Sequence, residues 1–346
     1  MSYKIRTTCL KCSSLLAFLL LLQPVFGQYN FAEAEELLVK NQKLLGGDVV
    51  AMIYKDGKII YKKELGTDFN AKTQAPVASC SQWLTAALVM MFVDEGRISL
   101  DDPVAKYIPI FASYSKKYIT IRNCLSHTTG IQAKGVLQTT KFATLEDEVN
   151  AFAKREIERN PGEMFFYSNI GLNIAGRILE IVSKKTFDRL IQDRLLRPLK
   201  MRNTTFYIDY DKSFNPSGGA LSSANDYMSF LGMILNKGLF EGKRILSEKS
   251  ITEMQKMQTG TAVVKYTPKT GEGFNYGLGE WILETDAAGK TSAVSCPGLY
   301  GTFPIVDNCH GYACIFFVKS LLAEQKKDLY ISLKDAIDRQ IPGTCK

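Results

Sequence analysis

The sequence predicts a mixed α/β fold of the α+β type: one antiparallel sheet built from both chain ends, flanked by helices, with a mostly helical region inserted between them. Three observations lead there. Strand-like segments flank Asp56-Gly57 near the start, and strand patterning returns only after Gly271. Between these regions apolar residues recur at helical spacing. Finally, the run from Trp83 to Val93 is apolar everywhere except Thr85, so a helix formed there is buried on every side.

Taken in order, Lys4, Arg6 and Lys11 precede the apolar run Leu15 to Leu22, and Val25-Phe26-Gly27 supplies a small-residue cleavage site. Residues 1–27 thus read as a secretory signal peptide, leaving Gln28 as the first mature residue and an exported, periplasmic or secreted protein. The apolar run is short for a stable membrane anchor, and no cysteine follows it to carry a lipid. Phe31 to Leu45 carries helical periodicity and stops at Gly46-Gly47. Val49 to Tyr54 and Lys58 to Leu65 then form a hairpin about Asp56-Gly57. After the buried helix, ended by Gly96, helices are expected over Glu146 to Arg159, Ile170 to Lys184, Phe187 to Leu195 and Ala224 to Asn236. Strands follow over Tyr276 to Glu284, Lys290 to Cys296, Thr302 to Val306 and Tyr312 to Val318, and Leu322 to Arg339 closes the chain as a helix. Residues 28–346 therefore read as one domain of two closely packed parts: a sheet part from about 28–75 and 272–346, and a helical part from about 76–271. The cleft between them is the expected place for a site.

Composition narrows the function. With 46% hydrophobic residues in 346, the chain is globular and larger than a single core usually holds. Its formal charge of +8 falls by three with the signal peptide, and no basic stripe appears, so nucleic-acid binding is not expected. Eight cysteines include Cys9 and Cys12 of the signal; the remaining six are too few for a disulfide scaffold. Cys309 and Cys314 flank a turn and are placed to pair. No metal-ligand spacing is present, and no cofactor is expected.

Ser79 stands where the buried helix begins. Serine is a preferred N-cap, and that is one reading. The other is a nucleophile, with helix N–H groups beside its hydroxyl and residue 82 one turn on along the same face. Ser-x-x-Lys hydrolases use this geometry, with the lysine helping to deprotonate the serine. Here the fourth residue is Gln82.

The ordered landmarks support the nucleophile reading. Ala78-Ser-Cys-Ser-Gln-Trp-Leu-Thr-Ala86, followed by Asp94-Glu-Gly-Arg-Ile-Ser-Leu-Asp-Asp-Pro103, resembles the opening of the beta-lactamase-related serine hydrolases. That group contains class C beta-lactamases, D-Ala-D-Ala peptidases and esterases of the penicillin-recognising fold. Leu125-Ser-His-Thr-Thr-Gly130 resembles the loop after its nucleophile helix, and Tyr167-Ser-Asn169 its Tyr-x-Asn motif. Gly218 to Tyr227 and Tyr276-Gly-Leu-Gly279 follow in the family's order. The resemblance spans roughly residues 47–320. It implies that Ser79 attacks an acyl carbon, that Tyr167 shuttles the proton and that Asn169 holds a substrate amide. It also implies an oxyanion hole formed by the Ser79 N–H with one from the strand after the third motif. Read alone, Tyr167-Ser-Asn169 is equally a helix start capped by Asn169.

Two motifs depart from that pattern. Gln82 replaces the lysine, and a carboxamide carries no charge and takes no proton near neutral pH. The third motif, Lys-Thr-Gly or His-x-Gly in relatives, is Cys296-Pro-Gly298 here: the glycine survives and the basic residue does not. Ser113-Tyr-Ser-Lys116 is a chance Ser-x-x-Lys without an apolar helix behind it. Lys290 lies at a turn from which a cation has reach toward the cleft. His127 belongs to the family loop and His310 to a hairpin turn, so neither completes a triad. Cys80 or Cys296 as nucleophile needs a neighbouring cation that is not evident. The expectations are thus a hydrolase impaired on its ester or amide substrate, or a non-catalytic relative binding a peptide or cell-wall-derived ligand.

Overall fold

The structure, a computed structural model, describes residues 1, 29–133, 142–206, 214–321 and 323–345. The expected signal peptide and cleavage site, apart from Met1, lie outside them. Phe31–Lys346 forms one compact unit.

Helix α1 (Ala32–Lys40) precedes a 3₁₀ turn that ends at Gly46 in the left-handed conformation. Strands β1 (Val49–Lys55) and β2 (Lys58–Leu65) meet at Asp56 and Gly57, both with positive φ. That is the backbone of a two-residue turn matching the twist of its strands. Helix α2 (Ser81–Asp94) is buried along most of its length and ends as predicted, with Gly96 at φ 67° and the Arg97 N–H returning to the Phe92 carbonyl.

The helical insert contains α3 (Ile121–Leu125), α4 (Leu145–Ala153), the short strand β3 (Met164–Phe166), α5 (Ile170–Ser183) and α6 (Ala224–Leu235). Predicted helix 146–159 stops at Ala153, short of the Pro161-Gly162 turn. Strand β4 (Val263–Tyr266) pairs in parallel with β3. There follow β5 (Asn275–Tyr276), β6 (Trp281–Thr285), β7 (Thr291–Ser295), β8 (Phe303–Asp307), β9 (Tyr312–Val318) and α7 (Lys327–Asp338). The segment predicted as a single strand over 276–284 is broken at Gly277-Leu-Gly, where Gly279 takes φ 79°.

The seven-stranded sheet runs β2-β1-β9-β8-β7-β6-β5, every pair antiparallel. Its centre joins the first strand to the last, as expected of a sheet made from both ends. Strands β8 and β9 are buried throughout because both faces are covered. On one side α7 lays Tyr330 against Phe303, ring centroids 4.6 Å apart. On the other α6 packs on β8 and β9, and Phe230 on α6 meets Trp83 of α2 at 5.6 Å. Helix α2 is thereby held against α6, which itself lies on the sheet. No described helix is long and apolar enough to cross a membrane.

One expected pairing is corrected. Cys309 is joined to Cys345, while Cys314 is a free, buried thiol. Cys314 lies within β9 opposite Ile305, so the turn residue Cys309 is not across from it. Instead Thr344 donates from its N–H and hydroxyl to the Cys309 carbonyl at 2.8 and 2.9 Å, bringing the C-terminal segment to the turn. Beside this bridge, fully buried Lys334 of α7 reaches Asp307, Asp338 and Glu284 at 2.8, 2.7 and 2.8 Å. Asp307, His310 and Asp338 are spaced closely enough to hold a metal ion, but the Lys334 ammonium already neutralises their carboxylates.

Candidate active site

Ser79 sits in a 3₁₀ turn, Ala78–Cys80, directly ahead of α2. Ala78 has φ 45°, a conformation costly for a residue with a Cβ, and it reorients the chain just before the serine. The N-cap of α2 is Cys80, with no side-chain cap; Ser81 Oγ donates to the Ala78 carbonyl at 2.5 Å instead. Ser79 is therefore not the helix cap of the simpler reading.

Tyr167 follows β3 and is fixed by its N–H bonding the Tyr266 carbonyl at 3.1 Å. Its phenol is buried in contact with Ser79. Burial holds its pKa well above the usual tyrosine range, the Cys296 thiol reinforces this, and Ser79 offsets only part of it. The phenol is consequently neutral at physiological pH. Asn169 occupies the N-cap position of α5, so the motif is a helix start, although its side chain makes no capping bond. The Asn169 carbonyl accepts from Ser217 Oγ at 3.1 Å, which ties the motif to the segment before α6.

Gln82 is completely buried, and its surroundings explain how an amide fits there. His127 Nδ1 accepts from the Ser168 N–H at 3.4 Å, so its proton lies on Nε2. That Nε2–H and the Tyr276 hydroxyl both reach Gln82 Oε1, each at 3.0 Å. Burial depresses the His127 pKa to about 3, so the imidazole is neutral. It also lies against the Tyr167 ring, centroids 4.6 Å apart. His127 was placed by the sequence in a supporting loop, and the structure puts it inside the site, held at φ 56°. The available signal was the run Ser126-His-Thr-Thr129, four polar residues that are all buried.

The third motif closes the site from β7. Cys296 Sγ donates to the Ser79 carbonyl at 3.2 Å. Its thiol, like that of Cys80, is pushed up by burial, so neither is an activated nucleophile. Gly298 lies so close to the turn before Ser79 that a Cβ there would come 2.1 Å from the Val77 carbonyl oxygen. Gly298→Ala is therefore expected to displace the motif, costing roughly 1–3 kcal/mol as overpacking does. The check is a lower denaturant midpoint together with slower labelling of Ser79.

Among the described residues, no lysine or arginine forms an ion pair or hydrogen bond with Ser79, Gln82, Tyr167 or Cys296. Lys290 is exposed in the β6–β7 turn, and Lys116 bonds the Tyr114 carbonyl at 3.2 Å. Neither supplies the missing charge.

A second acid lies behind α2. Glu280 is fully buried, and neither carboxyl oxygen has a hydrogen-bond partner in strict geometry; the Trp83 indole N–H approaches without completing one. Burial raises its pKa well above the ordinary glutamate value. The folded state thus holds a proton that the unfolded state releases, and stability falls as pH rises above the unfolded value of 4.5 towards the folded pKa. Glu280→Gln is expected to remove that decline and to stabilise the protein by ~1–3 kcal/mol at neutral pH. Urea unfolding at several pH values tests this; a loss of stability on substitution would sink it.

A serine at the entrance of a buried helix, facing a neutral tyrosine and backed by a glycine-bearing strand, is the arrangement expected of the beta-lactamase-fold serine hydrolase family. The chain belongs to the beta-lactamase family, whose family model matches residues 31–335. A Bacteroides dorei DSM 17855 protein of beta-lactamase type is 26% identical at TM-score 0.80, over 90% of this chain and 99% of that one. EstCE1, a hydrolase with promiscuous acyltransferase activity, is 18% identical at TM-score 0.76, over 89% and 98%, and shows the fold alone. Protein flp of Staphylococcus aureus (strain MW2) is 33% identical over 45% of this chain. The aligned part covers 34% of flp, about a third of that relative's length.

Proposed function

We propose that this chain is an exported member of its family that forms an acyl-enzyme at Ser79 slowly, on an ester or amide, because its proton relay lacks a cation. The observation that carries this is the pair of hydrogen bonds into Gln82 Oε1, which make residue 82 a neutral acceptor where a base is needed. Tyr167, which interacts with the Ser79 side chain, is then the proton partner we assign, and its raised pKa makes ionised phenol scarce. The ligand is a small or peptide acyl compound without a required carboxylate, since Cys296 replaces the cation that would bind one. Penicillin hydrolysis is the least favoured activity.

A second reading, a non-catalytic relative binding a peptide or cell-wall-derived ligand, is favoured by the closure of the site: Ser79 is only 7% exposed. Labelling with a fluorophosphonate, read by intact mass, separates the two. Slow modification that disappears in Ser79→Ala supports acyl transfer; no modification at millimolar probe favours binding alone.

A further inference from the structure

Gln82 has two ends in different circumstances. Its oxygen is saturated by His127 Nε2–H and the Tyr276 hydroxyl, while its nitrogen, equally buried, has no hydrogen-bond partner among the described residues. Rotating the amide would not help. The Ser168 N–H fixes the imidazole so that Nε2 is a donor, and a donor facing the amide nitrogen would be repelled. The nitrogen is thus held facing away from His127 and Tyr276. It belongs to a residue one turn after Ser79 on the same helix face. The other partnerless polar groups nearby, the Glu280 carboxyl and the indole N–H groups of Trp83 and Trp281, make no hydrogen bond with it. A buried donor left in this state costs stability unless something accepts from it.

We infer that Gln82 is a ligand-binding residue: locked by His127 and Tyr276, it presents its amide N–H to an acceptor oxygen of a neutral acyl ligand in the Ser79 cleft. The substitution of lysine then changes the job of position 82 from moving a proton to recognising a carbonyl or ester oxygen. His127 and Tyr276 are positioning residues in this arrangement. The inference rests on the acyl-ligand reading of the cleft but not on turnover.

The test uses Ser79→Ala as background, so that acylation plays no part, with 4-nitrophenyl butyrate as the probe and calorimetry as the readout. Gln82→Glu is the informative change: it keeps the acceptor facing His127 and Tyr276 and replaces only the outward N–H₂. A purely structural role for Gln82 predicts unchanged probe affinity. The inference predicts that Kd rises about fivefold, the loss of one ordinary hydrogen bond. Gln82→Met is expected to weaken binding similarly, and Tyr276→Phe by less, since His127 still holds the amide. Equal Kd values for Gln82→Glu and its background, both folded by circular dichroism, overturn the inference. So does absence of saturable probe binding to the Ser79→Ala protein. Slow or absent labelling of the wild-type serine bears on the acyl-transfer reading and leaves this result standing.

Discussion

Gln82→Lys is expected to accelerate acylation of Ser79 by roughly 10²–10⁴-fold, the usual contribution of one positioned proton-transfer group. Tyr167 already interacts with the Ser79 side chain, and Gly298 already closes on the turn before it. What the site lacks is a charge that favours ionised Tyr167 and a base one turn from the nucleophile. A lysine at 82 supplies the charge as its ammonium and the base as its neutral amine, and the Tyr276 hydroxyl is able to turn its oxygen toward it. The His127 Nε2–H is not, because Ser168 fixes that tautomer, so the gain belongs at the lower end of the range unless residue 127 is changed too. Rates of fluorophosphonate labelling for wild type, Gln82→Lys and Gln82→Lys/Ser79→Ala provide the comparison. Rapid wild-type labelling matching that of the lysine variant would falsify the view that the amide limits the chemistry.

Lys334→Met is expected to cost ~3–5 kcal/mol of stability, the range for removing one partner of a buried ion pair. The side chain's stem is retained in methionine, so the loss reports the charge. Asp307, fully buried, would be left without its cation, and Asp338 would lose a partner at 2.7 Å. In the wild type, the surrounding carboxylates outweigh burial and raise the Lys334 pKa. Its stabilisation is therefore complete below the unfolded value of 10.5 and is lost only as pH climbs toward the folded value, so it is constant through neutrality. Lys334→Met/Asp307→Asn is expected to be less destabilised than Lys334→Met, because the buried carboxylate left without a cation is gone. Urea midpoints of the two variants against wild type test this. A double variant as unstable as the single one would mean that packing, not charge, is the main contribution.

Much of the fold was legible because its signals are local. The Asp56-Gly57 turn, the all-apolar Trp83–Val93 run and the helix-ending Gly96 each force one conformation, and each took it. Boundaries shifted where tertiary geometry overrode periodicity, as at Gly279, whose close approach to α2 divides a strand; a Cβ there would stand 2.4 Å from that of Ala86. Cys296 and Tyr167 lie against Ser79, Gly298 against the turn before it, and Gln82 against His127 and Tyr276. His127, Tyr276 and Glu280 were not recognised as site components, since nothing in their spacing tells which way a side chain faces after the chain has folded back over more than a hundred residues. The wrong disulfide has the same origin: proximity along a hairpin is not proximity across it.

The central pairing of β1 with β9 has a consequence for how the molecule is made. Val49 lies opposite Val318, so this pairing closes only after the long stretch of chain between them has been synthesised. Such distant pairings are slow to form because chain closure is entropically costly before any contact rewards it. Cys296 and Gly298 approach Ser79 from the late half of this sheet, and the nucleophile's surroundings must therefore be among the last parts of the protein to mature.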